Sequence, residues 1–167
     1  MSAKTYIDTH PLRGAFIANQ LERLSDLIVE QGEALLADAE IEFPARAVSA
    51  VLLIGERGHI SAADIAEALN QPHQLTTQRI ELLIDAEIID RVSDPQDGRR
   101  KILQLTDKGV AQFERLQTLL AEADQAFATL FQEISCDLYA AIEQAMDALM
   151  RSPTLERVKS RKNYDLV

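Results

Sequence analysis

The sequence is poor in the residues from which most metal and redox sites are built. It has one cysteine, Cys136, and three histidines that stand far apart, His10, His59 and His73. One cysteine excludes an internal disulfide and any cysteine-based zinc site, and the scattered histidines form no ligand or catalytic set. No Ser/His/Asp set, glycine-rich phosphate loop, paired ligand spacing or cofactor motif is present either. We therefore predict a protein that is not an enzyme and has no cofactor and no metal.

Long apolar runs and tryptophan are also absent, and aromatic residues make up only 5% of the chain. No stretch approaches the roughly 20 apolar residues that are needed to cross a bilayer. No apolar segment follows Lys4 near the start, as a signal peptide would require. We expect a soluble, cytoplasmic protein with no membrane partner.

Basic residues are outnumbered by acidic ones, 17 to 27, so the formal net charge is −10. Nucleic-acid binding depends on neutralising phosphates, and it is usually found in basic domains. The acidic balance therefore weighs against strong non-specific binding to nucleic acid. It does not exclude a specific contact, because only the contacting face has to be positive.

The sequence does contain a series of helical patterns rich in alanine, leucine and glutamate. Apolar residues recur at helical spacing over residues 11–38, which predicts one long helix or two helices with a break near Gly32. Pro44 suits the first turn of a short, very apolar helix. Gly55 and Gly58 are expected to end that helix.

Two short helices joined by a tight break follow, which is the helix-turn-helix pattern. Ser61 and Asp64 form a capping-box pattern at the start of the first helix. A break at residues 70–72 precedes the second helix, which is predicted from residue 72 or 73 to about residue 86.

The hydrophobic period then changes to that of strands. Residues 88–92 and 101–105 are predicted to be short strands, and the turn-forming, cationic segment between them is Asp94-Pro95-Gln96-Asp97-Gly98-Arg99-Arg100. This pattern predicts a β-hairpin with an extended, charged tip. Residues 106–109 are then expected to cap a long helix.

The C-terminal part is predicted to hold one more helix, capped by Ser135 and stopped by residues 152–153. Cys136 lies at this predicted helix start, where the pKa of a thiol can be lowered. We favour the interpretation that Cys136 is a small buried apolar residue. Beyond residue 153 the tail is polar, and it is either disordered or packed on a partner.

The stretch from Phe43 to Gly109 resembles the DNA-binding core of the multiple-antibiotic-resistance-regulator (MarR) family of winged helix-turn-helix transcription regulators. Residues 94–109 are similar to the wing signature of that family, an Asp-x-Arg at the tip followed by Leu-Thr-x-x-Gly. Residues 60–69 are similar to its first recognition-motif helix.

Two positions depart from the pattern of this family. Glu87 replaces a glycine before the first wing strand, which suggests a different turn geometry. Gln78 stands where a recognition helix often carries Arg or Lys, which leaves the operator sequence open.

The resemblance implies a role for residues of the wing and of the second short helix. Arg99 is implied to be the wing-tip cation at the minor groove, and Asp97 to brace that arginine or the loop. Ile80 and Leu83 are predicted to face inward, so the opposite face of the helix is expected to read the major groove. Glutamine can read adenine, whereas Glu81 is either an acceptor for cytosine or a solvated residue. The candidate DNA-binding residues are His73, Gln74, Thr77, Gln78, Asp97, Arg99, Arg100 and Lys101.

The fold that the resemblance implies is mainly α with a small antiparallel β-wing, a winged helix-turn-helix with N- and C-terminal dimerisation helices. We predict a single MarR-type domain over residues 1–167. Its dimerisation helices are expected at 11–42 and 110–152, its winged-helix DNA-binding core at 43–109 and its polar tail at 153–167.

The implied function is transcription regulation through double-stranded DNA. A homodimer is expected to occupy a pseudo-palindromic operator as a repressor and to be released by a small-molecule effector, often an aromatic acid in this family. No effector-binding residue is identifiable. The acidic net charge leaves one alternative, a winged-helix protein–protein interaction module that does not bind DNA.

Overall fold

A computed structural model describes residues 4–95 and 97–164 of the chain. Within these ranges the fold is mainly α-helical with one two-stranded antiparallel sheet, as predicted. Gln96 in the predicted wing tip and the last three residues of the predicted tail lie outside the described residues. The elements in chain order are α1 (Tyr6–Thr9), α2 (Ile17–Asp38), α3 (Val48–Arg57), α4 (Ala62–Ala68), α5 (His73–Asp85), β1 (Ile89–Ser93), β2 (Lys101–Leu105), α6 (Asp107–Glu133), α7 (Leu138–Arg151) and α8 (Thr154–Tyr164).

The chain divides into two compact units, Met1–Leu120 and Ala121–Val167, and the boundary falls within α6. The first unit has an apolar core that draws on its helices and on both strands. Burial of each large apolar side chain in such a core stabilises the fold by about 1.5–3 kcal/mol. The large, fully buried apolar side chains include Val51, Ile54, Ile65, Ile80, Leu83, Ile88, Ile89, Leu103 and Leu116.

The helix-turn-helix forms where the sequence predicts it. The Ser61 hydroxyl accepts the Asp64 N–H, and the Asp64 carboxylate accepts the Ser61 N–H at 3.1 Å, which completes the predicted capping box. Asn70 adopts a left-handed conformation with φ 47°, which turns the chain between α4 and α5. These local interactions orient α5 relative to α4.

The wing pairs with the segment that precedes α4. In the hairpin, Ile89 lies opposite Leu105 and Ser93 lies opposite Lys101. On the other edge of β2, the Leu103 N–H donates to the Ile60 carbonyl at 2.8 Å. Strand β2 of the wing is therefore held to the segment before α4 by a backbone hydrogen bond.

The N-terminal helices differ in detail from the prediction. The long helix begins at Ile17 rather than near residue 11, after a 3-10 turn at Arg13–Phe16, and it passes Gly32 without a break. Helix α3 also continues through Gly55, where the Phe113 ring occupies the space that a side chain would need. Gly58, with φ 73°, ends α3 as expected.

Two predictions about the C-terminal part were wrong, as was the disordered alternative for the tail. The cap of α7 is Asp137, which accepts the Ala140 N–H at 3.0 Å, whereas Ser135 has φ 54° and lies in the turn after α6. Cys136 is exposed because it lies in that turn and not on the packed face of a helix. The predicted polar tail is helical as α8, which begins one residue after Pro153.

Arg157 on α8 links that helix to the end of α7. Its guanidinium donates to the carbonyls of Ala148 and Ser152, at 2.7 Å in each case. These carbonyls lie at the C-terminal end of α7, where the Ala148 carbonyl also accepts the Ser152 N–H at 3.0 Å. None of the helices among the described residues is long and apolar enough to cross a membrane.

Candidate nucleic-acid interface

Helix α5 presents a polar face to solvent. Its packed side consists of Thr76, Ile80 and Leu83, which are almost completely buried. The opposite face carries the residues that the helical period turns outward, and all of them are exposed: His73, Gln74, Thr77, Gln78 and Glu81. The predicted orientation of the helix is therefore confirmed, while the DNA contacts of these side chains remain predictions.

Two arginines beside this face were missed by the sequence analysis. Arg79 on α5 donates to the Gln71 side-chain amide in the turn before the helix. Arg91 on β1 forms an ion pair with Glu81, with 2.7 Å between Nη2 and Oε1. The predicted outward position of Glu81 could have indicated a cation beside it. Which cation it would meet depends on how the strand crosses the helix.

The wing tip is held by backbone and side-chain hydrogen bonds around Asp97. The Asp97 carboxylate accepts the Arg99 N–H at 3.0 Å, and its carbonyl accepts the Arg100 N–H at 2.8 Å. Asp94 N–H donates to the Arg100 carbonyl at 2.9 Å, which closes the hairpin. Asp97 therefore braces the loop itself.

The three consecutive cations of the wing have different surroundings. The Arg99 side chain is exposed and makes no ion pair or hydrogen bond with any of the described residues. Arg100 instead contacts the Asp64 carboxylate and the Ser61 hydroxyl. Lys101 donates to the Ser93 hydroxyl across the hairpin at 2.7 Å. Of the three, Arg99 is the cation whose side chain has no partner among the described residues.

The turn before the wing keeps the backbone geometry that suits glycine. Glu87 has φ 59°, so the expectation of a different turn at this position was wrong. The Glu87 carbonyl accepts the Thr106 hydroxyl at 2.7 Å, and the Thr106 oxygen accepts the Gly109 N–H at 2.9 Å. A side chain at Gly109 would collide with the Ile88 carbonyl, since its Cβ would lie 1.9 Å from that oxygen. These contacts explain the Leu-Thr-x-x-Gly pattern in physical terms.

The acidic charge of the chain lies mainly outside this region. Residues 43–109 contain eight Lys and Arg residues and ten Asp and Glu residues, a formal charge of −2 compared with −10 for the whole chain. Several of the acidic side chains face cations of the protein, as Asp64 faces Arg100 and Glu81 faces Arg91.

Among the described residues, no cluster of three or more His, Cys, Asp or Glu side chains is arranged to hold a metal ion.

Known proteins share both the sequence pattern and the fold. Residues 43–100 match the sequence model of the MarR family. No curated protein matches the chain by sequence. Among solved structures, the chain is similar to the S. aureus MepR–DNA complex, with a TM-score of 0.66 and 18% identity over 80% of this chain and 97% of that one.

Two further solved structures have a similar fold. The PcaV transcriptional regulator from Streptomyces coelicolor, in complex with its natural ligand, has a TM-score of 0.59 and 20% identity, over 90% of this chain and 98% of that one. A mutant MarR from E. coli complexed with operator DNA has a TM-score of 0.57 and 19% identity, over 78% of this chain and 93% of that one. Residues 43–100 therefore resemble the MarR family in sequence, and the chain has the fold of these three solved proteins.

Proposed function

We propose that this protein is a DNA-binding transcription regulator that inserts α5 into the major groove and places the wing tip at the neighbouring minor groove. The observation that carries this proposal is the exposed Arg99 guanidinium, which is unpaired among the described residues and belongs to the same unit as the polar face of α5. A minor groove has a negative potential that attracts arginine, and a single helix fits the major groove. The MarR-family match over residues 43–100 supports the same assignment.

The N-terminal half of α5 supplies the base contacts in this proposal. Gln74 and Gln78 are exposed on the outward face, and a glutamine amide pairs with the N6 and N7 positions of adenine. His73 and Thr77 lie beside them, and Thr77 also donates to the His73 carbonyl at 2.9 Å. His73 is assigned to phosphate, since it lies at the start of the helix.

We further propose that the active form is a homodimer on a pseudo-palindromic operator. Helix α2 carries an exposed apolar stripe at spacings of four and seven residues, formed by Ile17, Leu21, Ile28 and Leu35. The second unit carries another, and its exposed members on α7 are Tyr139, Ile142, Met146 and Leu149. Apolar stripes of this length favour burial against a second copy, and two-fold symmetry would set the recognition helices about 34–36 Å apart.

Repression with release by a small-molecule effector is the regulation we propose. A dimer that covers a promoter blocks transcription, and a ligand that prefers the DNA-incompetent conformation shifts the population away from DNA. The solved complex of PcaV with its natural ligand supports a ligand-responsive scheme for this fold. We expect such a regulator to act in the cytoplasm.

The test is a binding assay with DNA that the protein selects for itself. The wild-type protein would be used to enrich duplexes from a random library, and the affinity for the enriched duplex would be measured by fluorescence polarisation across salt. Specific binding that falls steeply with salt is expected, because phosphate contacts release counterions. No enrichment and no binding at low salt would overturn the proposal.

The net charge of −10 favours a second candidate, a winged helix that binds another protein. In that case no duplex would be enriched, and the same surface would bind a basic protein partner. A pull-down with the wild-type chain and with Glu81→Lys would then identify a partner whose binding depends on the charge of α5.

A further inference from the structure

Arg100 connects the wing to the N-terminus of α4, which is far away in the sequence. Its guanidinium contacts the Asp64 carboxylate, and its Nη2 donates to the Ser61 hydroxyl at 3.3 Å. Ser61 is almost buried, whereas the Asp64 and Arg100 side chains are 40% and 48% exposed. The contact therefore lies at the edge of the junction between the wing and the helix-turn-helix.

Asp64 takes part in two structures at the same time. It completes the capping box by accepting both the N–H and the hydroxyl of Ser61, at 3.1 and 2.7 Å. The same carboxylate oxygen meets Arg100. The hydrogen bonds from Ser61, helped by the positive charge of Arg100, hold the pKa of Asp64 below its usual value, so the carboxylate is an anion at neutral pH.

Arg100 and Arg99 are adjacent in the sequence but have opposite surroundings. Arg100 is held by α4, while Arg99 projects into solvent from a loop that Asp97 braces. A shift of the loop relative to α4 would therefore move the exposed guanidinium. The backbone bond between Leu103 and Ile60 fixes the base of the wing, and the Arg100 contact is the nearest side-chain link to its tip.

We propose that Arg100 and Asp64 are positioning residues that hold the wing tip against α4 and so determine where Arg99 meets DNA. This proposal rests on the proposed DNA binding. It assigns Arg100 to a contact with α4 at the edge of the wing junction, whereas the sequence pattern places all three cations of the wing on DNA. The two assignments predict opposite effects of Asp64→Asn on DNA affinity. If Arg100 positions the wing, Asp64 supports binding. If Arg100 contacts DNA, Asp64 competes with DNA for the guanidinium.

The experiment compares four variants on the duplex that the wild-type protein selects. If Arg100 positions the wing, Arg100→Gln and Asp64→Asn each weaken binding roughly fivefold, the size expected for a partly exposed charge pair. The affinity of the double variant is expected to equal that of the single variant that binds more weakly, because each single substitution already removes the contact between Arg100 and Asp64. The salt dependence stays at the wild-type value in all three. Arg99→Gln is the matched control, and it lowers the slope of log affinity against log salt by about one.

Direct contact of Arg100 with DNA gives a different pattern and would overturn the proposal. Arg100→Gln would then lower the salt slope as Arg99→Gln does, and Asp64→Asn would tighten binding because it removes a competing anion. If Asp64→Asn fails to fold through loss of its cap, the salt slope of Arg100→Gln decides the question, because direct contact lowers that slope and a positioning role does not. Arg100→Lys is the control for the ion pair. The lysine retains the ion pair with Asp64, so it is expected to restore most of the affinity.

A second measurement does not require DNA. Hydrogen exchange of the amides at residues 97–101 in the unliganded protein is expected to become faster in Arg100→Gln and to stay unchanged in Arg99→Gln. If the wild-type protein binds no DNA but exchange accelerates as expected, the proposed function fails and the junction contact stands. If neither exchange nor affinity changes in Arg100→Gln, the positioning role is wrong.

Discussion

Arg91 on β1 and Glu81 on the exposed face of α5 form an ion pair, with 2.7 Å between Nη2 and Oε1. The two side chains are 42% and 50% exposed, so the pair contributes about 1 kcal/mol or less to stability. Its larger consequence is electrostatic. It places a cation of the wing strand beside Glu81, which with Asp85 is one of the two exposed carboxylates of α5.

The first prediction concerns this pair. Arg91→Ala is expected to weaken DNA binding, because it removes a cation and leaves the Glu81 carboxylate without its partner near the phosphates. Glu81→Gln is expected to strengthen binding to unrelated sequences. Fluorescence polarisation on the selected duplex and on a scrambled duplex measures both effects. Unchanged affinity in Arg91→Ala would mean that the pair lies away from DNA.

The second prediction separates the wing from the reading helix. Arg99→Ala is expected to weaken binding to all duplexes and to reduce the salt slope by about one, because one cation is lost from the interface. Gln78→Ala is expected to change the sequence preference and to leave the salt slope unchanged. Parallel selection from a random duplex library with each variant measures the preference. If Arg99→Ala retains wild-type affinity, the assignment of the wing is wrong.

The third prediction concerns Gly109 at the start of α6. Gly109→Ala is expected to destabilise the protein by about 2 kcal/mol or more, since the added methyl group meets the Ile88 carbonyl and the backbone must move. Thermal unfolding followed by circular dichroism measures the loss. Gly14→Ala is the control, because a Cβ at Gly14 meets nothing within 4 Å. Equal stability of the two variants would show that Ile88 and α6 do not approach as closely as described.

The fourth prediction concerns the left-handed residue before the wing. Glu87→Gly is expected to stabilise the protein by about 1 kcal/mol, because glycine adopts φ 59° without the steric cost that a side chain brings. Chemical denaturation measures the change in the free energy of unfolding. Glu22→Gly on the exposed face of α2 is the control, and it should destabilise by about 1 kcal/mol as a glycine in a helix interior does. A loss of stability in Glu87→Gly would contradict the prediction.

The fifth prediction concerns pH and the N-terminal helix α1. The pKa of Asp8 lies far below its usual value, chiefly because the carboxylate accepts the Thr5 N–H, with further hydrogen bonds from Gln20 and Arg23. Because the pKa of Asp8 is lowered in the folded state, its hydrogen bonds stabilise the fold fully at pH values above the unfolded pKa of about 3.9. This stabilisation is lost as the pH falls through the lower pKa of the folded state. An NMR titration of the Asp8 carboxyl measures this. A midpoint at the ordinary value for an aspartate would contradict the contact.

Much of the fold follows from local patterns. The change from helical to alternating hydrophobic spacing located the wing, and the strands differ from the prediction by one residue at β1 and not at all at β2. The capping box at Ser61 and Asp64 was predictable because a cap depends on residues three positions apart. The orientation of α5 followed from the buried positions of Ile80 and Leu83.

The differences occur where a neighbour in space decides the outcome. Gly55 lies within a helix against the Phe113 ring, and the sequence near Gly55 carries no sign of that ring. Glu87 has a positive φ that its side chain disfavours, and its carbonyl accepts the Thr106 hydroxyl. The segment after Pro153 is helical, and its Arg157 guanidinium donates to carbonyls at the end of α7.

The amino-acid sequence by itself determined the order of the helices, the presence of the wing and the candidate reading face of α5, because these depend on periodicity and capping within a few residues. Only the tertiary structure decided which cation each carboxylate meets. A long arginine side chain reaches several ångströms, and its partner is whatever the fold brings within that distance. Arg99 and Arg100 are the same residue type in the same motif. They differ because Asp64, which the fold brings to the wing, lies beside Arg100 and not beside Arg99.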